Sequence, residues 1–228
     1  MSDPSHSMGP IVSRSLQEEV YQRLREFIFN RQLEAEMFTL QQLADTFGVS
    51  PMPVREALRR LEADGLVAFT HRGRLTIPYL SSKEIEDVFQ IRLRLEPFAG
   101  RVAANRITPE EIKRLGNLWT ELEDFADGGR WRANNAAFHR TIFNASANPR
   151  LATIIDNLWL MVEPYRRYYI NDRALLKTAQ AQHAEIIENL RKKDGPAVEK
   201  VLENHLSRTL DVILAGMKNT GPIAEEEA

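Results

Sequence analysis

The sequence predicts a mostly α-helical protein in two units: a small N-terminal unit that closes with a β-hairpin, and a larger C-terminal unit built only of helices. Three observations lead there. Apolar residues recur at helical spacing along nearly the whole chain, the period switches to alternation once, between Val67 and Ile77, and 228 residues suffice for two compact units. With 43% hydrophobic and 27% charged residues, both units can bury a core.

Residues 1–13 hold Ser, Pro, Gly and Met without periodicity and are expected to form a disordered tail, as is the acidic end 220–228. From Ser15, Val20, Leu24, Phe27 and Ile28 mark a first amphipathic helix. Leu40, Leu43, Ala44 and Phe47 mark a second, which Gly48 stops, and Ser50-Pro51 starts a third with an N-cap residue and a proline at the first helical position. Val54, Leu58 and Leu61 form its apolar face, and it ends near Gly65. Val67, Phe69, Leu75 and Ile77 then alternate around the polar tip His71-Arg72-Gly73-Arg74, which is a hairpin pattern. Beyond Pro78 the chain reads as about six helices. Ser81 with Glu84 and Thr108 with Glu111 fit capping boxes, while Asp127-Gly128-Gly129, Asn148-Pro149, Asn171-Asp172 and Asp194-Gly195-Pro196 mark breaks. The units are placed at 14–80 and 81–219.

No apolar run approaches a membrane span and the start lacks a signal-peptide pattern, so a cytoplasmic location is expected, with no membrane partner. The absence of cysteine excludes disulfides, zinc knuckles and a thiol nucleophile, so a metal would need His, carboxylate or amide ligands. A net charge of −2 excludes a globally basic nucleic-acid coat but leaves room for a local basic face.

Such a face falls in the first unit. Two short helices joined by Gly48-Val49-Ser50, a helix before them and a hairpin after them describe a winged helix-turn-helix, whose third helix presents its N-terminus to DNA. Ser50 to Arg55 supply a hydroxyl, backbone amides and a guanidinium there, and His71, Arg72 and Arg74 can lie along neighbouring phosphates. The competing reading is a solvated face in which Arg55, Arg59 and Arg60 pair with Glu56, Glu62 and Asp64. The order of turn, capped helix and basic tip favours DNA. Residues 15–78, above all LQQLADTFGVSPMPVREALRRLEADGLV followed by HRGRLTI, resemble the winged-helix domain of the GntR family of bacterial transcription regulators. The resemblance implies DNA contacts from Gln41, Ser50, Met52, Pro53 and Arg55 and from the wing residues His71, Arg72, Gly73 and Arg74. Pro51 stands where the family often has a guanine-reading arginine, which makes Arg55 the principal base reader here.

In the second unit, His139 shares a helix face with Asn135 and Ile142, His183 lies on the stripe of Ala179, Ile186, Ile187 and Leu190, and His205 follows Val201 and Leu202. All three are expected to point inward, either as hydrogen-bonded core imidazoles or as ligands of one shared metal. Arg92 interrupts the stripe of Ile85, Val88, Leu95, Ala99 and Val102; it either snorkels to the rim or meets an anion inside. The run from Tyr165 to Tyr169 is left between a packed face, a dimer surface and effector contact. IRLRLEPFAGRVAA, NNAAFHRTIFNASANPRL, AQHAEII and ENHLSRTL resemble the ligand-binding FCD domain of the FadR-type branch. The resemblance implies a divalent metal, zinc with nickel as the second choice, held by Asn135, His139, His183 and His205. It also implies a small organic-acid effector near Arg92. The family has aspartate where this chain has Asn135, so the site carries one negative charge fewer.

The expected protein is a homodimeric repressor that binds double-stranded operator DNA and a small carboxylate. Two alternatives stand beside it: a winged-helix regulator whose bundle only dimerises, and a His-ligated metalloenzyme, against which count the lack of HExxH and of any nucleophile motif.

Overall fold

A computed structural model describes residues 16–29, 38–71, 73–123, 128–170 and 172–220. Both expected tails, apart from Thr220, and the wing residue Arg72 lie outside the described residues. The chain forms two compact units that divide between Ile77 and Pro78.

In the first unit, α1 (Leu16–Phe29), α2 (Leu40–Phe47) and α3 (Pro51–Ala63) precede a two-stranded antiparallel hairpin of β1 (Ala68–Phe69) and β2 (Leu75–Thr76). The helices bury Val20, Leu24, Ile28, Leu43, Ala44, Val54, Leu58 and Leu61 together, the stripes that set their phase in the sequence. A capping box missed in the sequence starts α2: Thr39 Oγ1 accepts from the Gln42 amide at 3.3 Å and Gln42 Oε1 accepts from the Thr39 amide at 2.9 Å. Gly48, at φ 65°, stops α2 in the left-handed conformation that glycine adopts without strain. The hairpin is shorter than the alternation implied. Only Ala68↔Thr76 and Phe69↔Leu75 pair, so Val67 and Ile77 fall outside the strands, and the Thr70 amide donates to Arg74 O at 2.9 Å across the tip.

The second unit is all-helical: α4 (Ser82–Ala104), α5 (Pro109–Glu121), α6 (Gly128–Ala145), α7 (Pro149–Val162), a 3-10 turn (Glu163–Arg166), the short α8 (Arg167–Ile170), α9 (Arg173–Arg191) and α10 (Gly195–Thr220). Both predicted capping boxes are present, at Ser81 and Thr108, and Asn148 and Asp172 cap α7 and α9 through side-chain oxygens. The break expected at Asp127-Gly128-Gly129 falls between α5 and α6: Gly128 and Gly129 open the first turn of α6, and Asp127 lies outside the described residues. The long helices α4 and α10 pack very closely: a Cβ on Gly100 would stand 2.3 Å from Leu202 Cδ1.

The sequence reading put the boundary after residue 80, but Tyr79 and Leu80 pack against the bundle core of Ile85, Phe89, Tyr165, Leu206 and Ile213. Tyr165 locks that segment in place. Its hydroxyl accepts from the Leu80 amide and donates to Leu80 O at 2.9 Å. Burial pushes the Tyr165 phenol up to about 12, so it stays protonated and keeps the donor.

Candidate functional site

In the first unit the turn Gly48-Val49-Ser50 leads directly into α3. Ser50 occupies the N-cap position with extended backbone, but its hydroxyl makes no capping hydrogen bond. The expectation of a side-chain cap is thus corrected. The cause lies in the sequence: Pro53 stands at the third helical position and has no N–H for Ser50 to accept. Pro51 and Pro53 together leave only Met52 and Val54 with amides in the first turn, fewer donors than the sequence reading assumed.

The arginines of α3 separate into two kinds. Arg59 Nη1 meets Glu56 Oε1 at 3.1 Å, and Arg60 Nη1 meets Glu18 Oε2 at 2.8 Å with its guanidinium 3.8 Å from the Tyr21 ring centroid. These two follow the solvated-face reading, with Glu18 on α1 taking the place of Glu62 and Asp64 for Arg60. Arg55 is exposed, and its side chain makes no ion pair or hydrogen bond among the described residues. Met52 beside it is 60% exposed, an apolar side chain held in water at the start of the helix. Gln41 on α2 is exposed and donates to Asp45 Oδ1 at 2.9 Å. His71 and Arg74 are exposed in the wing, and Gly73 has φ 70°, a conformation that closes the tip and disfavours side chains.

In the second unit α6, α9 and α10 bring His139, His183 and His205 together. One ring nitrogen of each lies within 4.8 Å of the others, and His139 Nε2 is 3.2 Å from His183 Nε2. His139 and His183 are buried, packed against Phe138, Phe143 and Trp159, while His205 is half-buried at the wall of a cavity. Desolvation, then the neighbouring imidazoles, holds His139 and His183 well below the usual histidine range. For His205, burial and then the nearby Arg92 and Arg166 guanidiniums lower the value to about 4. All three rings are therefore neutral at pH 7, the state in which imidazole offers a lone pair. His205 Nδ1 stands 2.9 Å from Gln182 Oε1, an oxygen that only accepts, so the proton sits on Nδ1 and the lone pair on Nε2. Asn135, one helical turn before His139, is buried, and its Oδ1 has no hydrogen-bond partner. A buried, unsatisfied carbonyl oxygen and three neutral imidazoles are the kinds of donor that a divalent cation takes.

Two small chambers share Asn135, Tyr169, His205 and Thr209 in their walls. The second chamber is also lined by Arg92 and Arg166. Arg92 points inward, as its place on the apolar stripe implies, and is 4% exposed. It already has one internal partner: its Nε donates to Glu96 Oε1 at 2.6 Å, and the same oxygen accepts from Trp159 Nε1 at 2.9 Å. Arg166 is equally buried and pairs through Nε with Glu163 Oε2 at 3.0 Å, yet its Nη1 has no hydrogen-bond partner. Both guanidiniums lie by the Trp159 ring, at 5.3 Å and 4.5 Å from its centroid. Sequence reasoning missed Glu96 and left Arg166 open. For Glu96 a signal existed, because a carboxylate four residues after an inward arginine falls on the same helix face.

A model of the FCD domain matches residues 87–208, and a model of bacterial regulatory proteins of the gntR family matches residues 16–77. The chain belongs to the GntR family. Within it, the FCD domain supplies the cavity just described and the GntR domain the winged helix. The chain is 29% identical over 171 residues to a probable D-xylose utilization operon transcriptional repressor of Paenarthrobacter nicotinovorans, covering 74% of this chain and 75% of the relative. It is 27% identical over 194 residues to the HTH-type transcriptional regulator YdhC of Bacillus subtilis, covering 83% and 87%. The solved structure of McbR/YncC of Escherichia coli superposes with a TM-score of 0.78 at 23% identity, covering 88% of this chain and 98% of that one, which shows a common fold. As a GntR-family protein the chain is a DNA-binding transcription regulator and not an enzyme, which removes the metalloenzyme alternative. No helix among its described residues is long and apolar enough to cross a membrane.

Proposed function

We propose that this GntR-family protein is a homodimeric repressor whose helical domain binds a divalent metal, zinc in the first place and nickel in the second, together with a small carboxylate that alters operator binding. One observation carries the reading: three neutral imidazoles and the unsatisfied Asn135 oxygen converge beside a cavity that also holds buried arginine. Asn135, His139, His183 and His205 would hold the metal, which supplies a positive charge and an open position for a ligand oxygen. Arg92 has terminal nitrogens left over after its bond to Glu96, and these suit a carboxylate. Repression is the sense proposed because a relative of this length carries that name. Dimerisation follows from need, since one short recognition helix reads too few base pairs alone.

Calorimetry on protein stripped with chelator tests the metal. Zinc is expected to bind the wild type at micromolar concentration or below, more tightly in Asn135→Asp, where a carboxylate replaces the amide, and at least roughly a hundredfold more weakly in His183→Ala. Zinc at about a hundred times its Kd is expected to add about 2.7 kcal/mol of stability. Failure of wild type to bind any divalent ion at micromolar concentration would return the histidines to the role of core residues.

On the DNA side, Arg55→Ala is expected to cost about 1–3 kcal/mol on operator DNA and to relax sequence preference, because the free guanidinium is available for a bidentate base contact. Arg74→Ala, in the wing, is expected to weaken all sequences more evenly. Titrations of both variants at one salt concentration decide; an unchanged operator affinity for Arg55→Ala would reject this docking.

A further inference from the structure

The solvent-facing side of α3 carries an apolar side chain in a line of charged ones. Val54, Ala57, Leu58 and Leu61 form the buried stripe of this helix, and Met52, Arg55 and Arg59, spaced at i, i+3 and i+7, lie exposed on the opposite side. Within that line Arg59 is held by Glu56 at 3.1 Å, whereas the Arg55 side chain makes no ion pair or hydrogen bond among the described residues. Met52 stands one turn ahead of Arg55 and, at 60% exposure, is the most exposed large apolar side chain among the described residues. Polar chemistry is thin around it. Pro51 and Pro53 flank it and have no N–H, and its thioether is at most a weak acceptor. The Met52 side chain therefore has nothing to donate to a phosphate or to the polar edge of a base, and its contact with water is relieved only against another apolar surface. In the major groove the base pairs present one such group, the C5-methyl of thymine.

Resting on the DNA docking of α3 given above, we propose that Met52 is a specificity-determining residue that reads the C5-methyl group of a thymine beside the base pair contacted by Arg55. Three residues of helix rise about 4.5 Å and successive base pairs about 3.4 Å, so the two side chains address base pairs one or two steps apart. Arg55 supplies a bidentate hydrogen bond to guanine, and Met52 an apolar contact that makes no directional demand. The half-site is thereby a guanine with a thymine within two base pairs of it, a combination that neither side chain selects alone.

The test uses the full chain and the duplexes that it selects from a random library at one fixed salt concentration. The selected half-sites are expected to hold a thymine, on either strand, within two base pairs of a guanine whose selection is lost in Arg55→Ala. Replacing that thymine by deoxyuridine takes one methyl group and nothing else from the groove, and is expected to weaken wild type about fourfold, the worth of a single methyl kept from water. Met52→Ser, too short and too polar for the contact, is expected to bind the two duplexes within about twofold of each other, with a melting transition like that of wild type because the position is exposed. Met52→Leu keeps an apolar side chain of similar size and is expected to keep the distinction. Equal wild-type affinity for the thymine and deoxyuridine duplexes, an equal loss in Met52→Ser, or selected sites without thymine in that window overturns the methyl contact and leaves the docking of Arg55 standing. Selected sequences that do not change in Arg55→Ala overturn the docking and the methyl contact with it.

Discussion

Glu96→Ala is expected to remove about 3–5 kcal/mol from the stability of the helical unit, a large share of the roughly 5–15 kcal/mol that a domain has. Glu96 is 1% exposed and accepts two hydrogen bonds, from Arg92 Nε and from Trp159 Nε1. Without it the Arg92 guanidinium remains in a dry wall with no counter-charge and the indole N–H has no acceptor. Removing both charges costs less than removing one, so Arg92→Met/Glu96→Gln, which retains an acceptor for Trp159, should recover most of the loss. Urea denaturation of the three proteins measures this. A Glu96→Ala variant within about 1 kcal/mol of wild type would mean that the pair is solvated. The same physics governs any effector experiment at Arg92. A single Arg92→Met leaves Glu96 buried and charged, and loss of response would then report damage to the fold; the paired background separates the two.

Acid is expected to weaken the metal-free protein between pH 6.5 and about 4. A histidine held below its unfolded value takes up its proton in the unfolded chain first, so stability falls as pH drops through 6.5 and stops falling at the folded value, about 4 for His205. Each pH unit in that window costs about 1.4 kcal/mol per histidine, which makes His205 alone worth about 3 kcal/mol across it. His139 and His183, depressed mainly by burial, act in the same direction. Denaturant titrations with chelator at pH 7 and pH 5 should differ by at least about 2 kcal/mol, and His205→Gln should flatten the dependence. A flat profile in the wild type would place the rings in water.

The helix starts were legible because their signals are local: Ser81 with Glu84 and Thr108 with Glu111 lie within four residues of each other and need no tertiary context. That the three histidines face inward was legible for a related reason, since phase on an apolar stripe decides which face is buried, whereas their grouping with Asn135 was implied by the resemblance to the FCD domain and not by spacing. Phase fails where the period changes. Arg166 lies in a 3-10 turn between two α-helices, so neither helical stripe extends to it, and the dense run Tyr165-Arg166-Arg167-Tyr168-Tyr169 gives no unique inward side. The fate of Arg60 was hidden for another reason. Its partners Glu18 and Tyr21 are on α1, some forty residues away, and only the packed core of the first unit brings them near.

Tyr165 and Arg166 are consecutive residues of one four-residue turn, and they face different tasks. Arg166 looks into the chamber, while the Tyr165 hydroxyl grips both the amide and the carbonyl of Leu80, three residues after the point where the chain leaves its first unit. The wall of the chamber and the anchor for the chain's entry into the bundle are thus neighbours in a single four-residue turn.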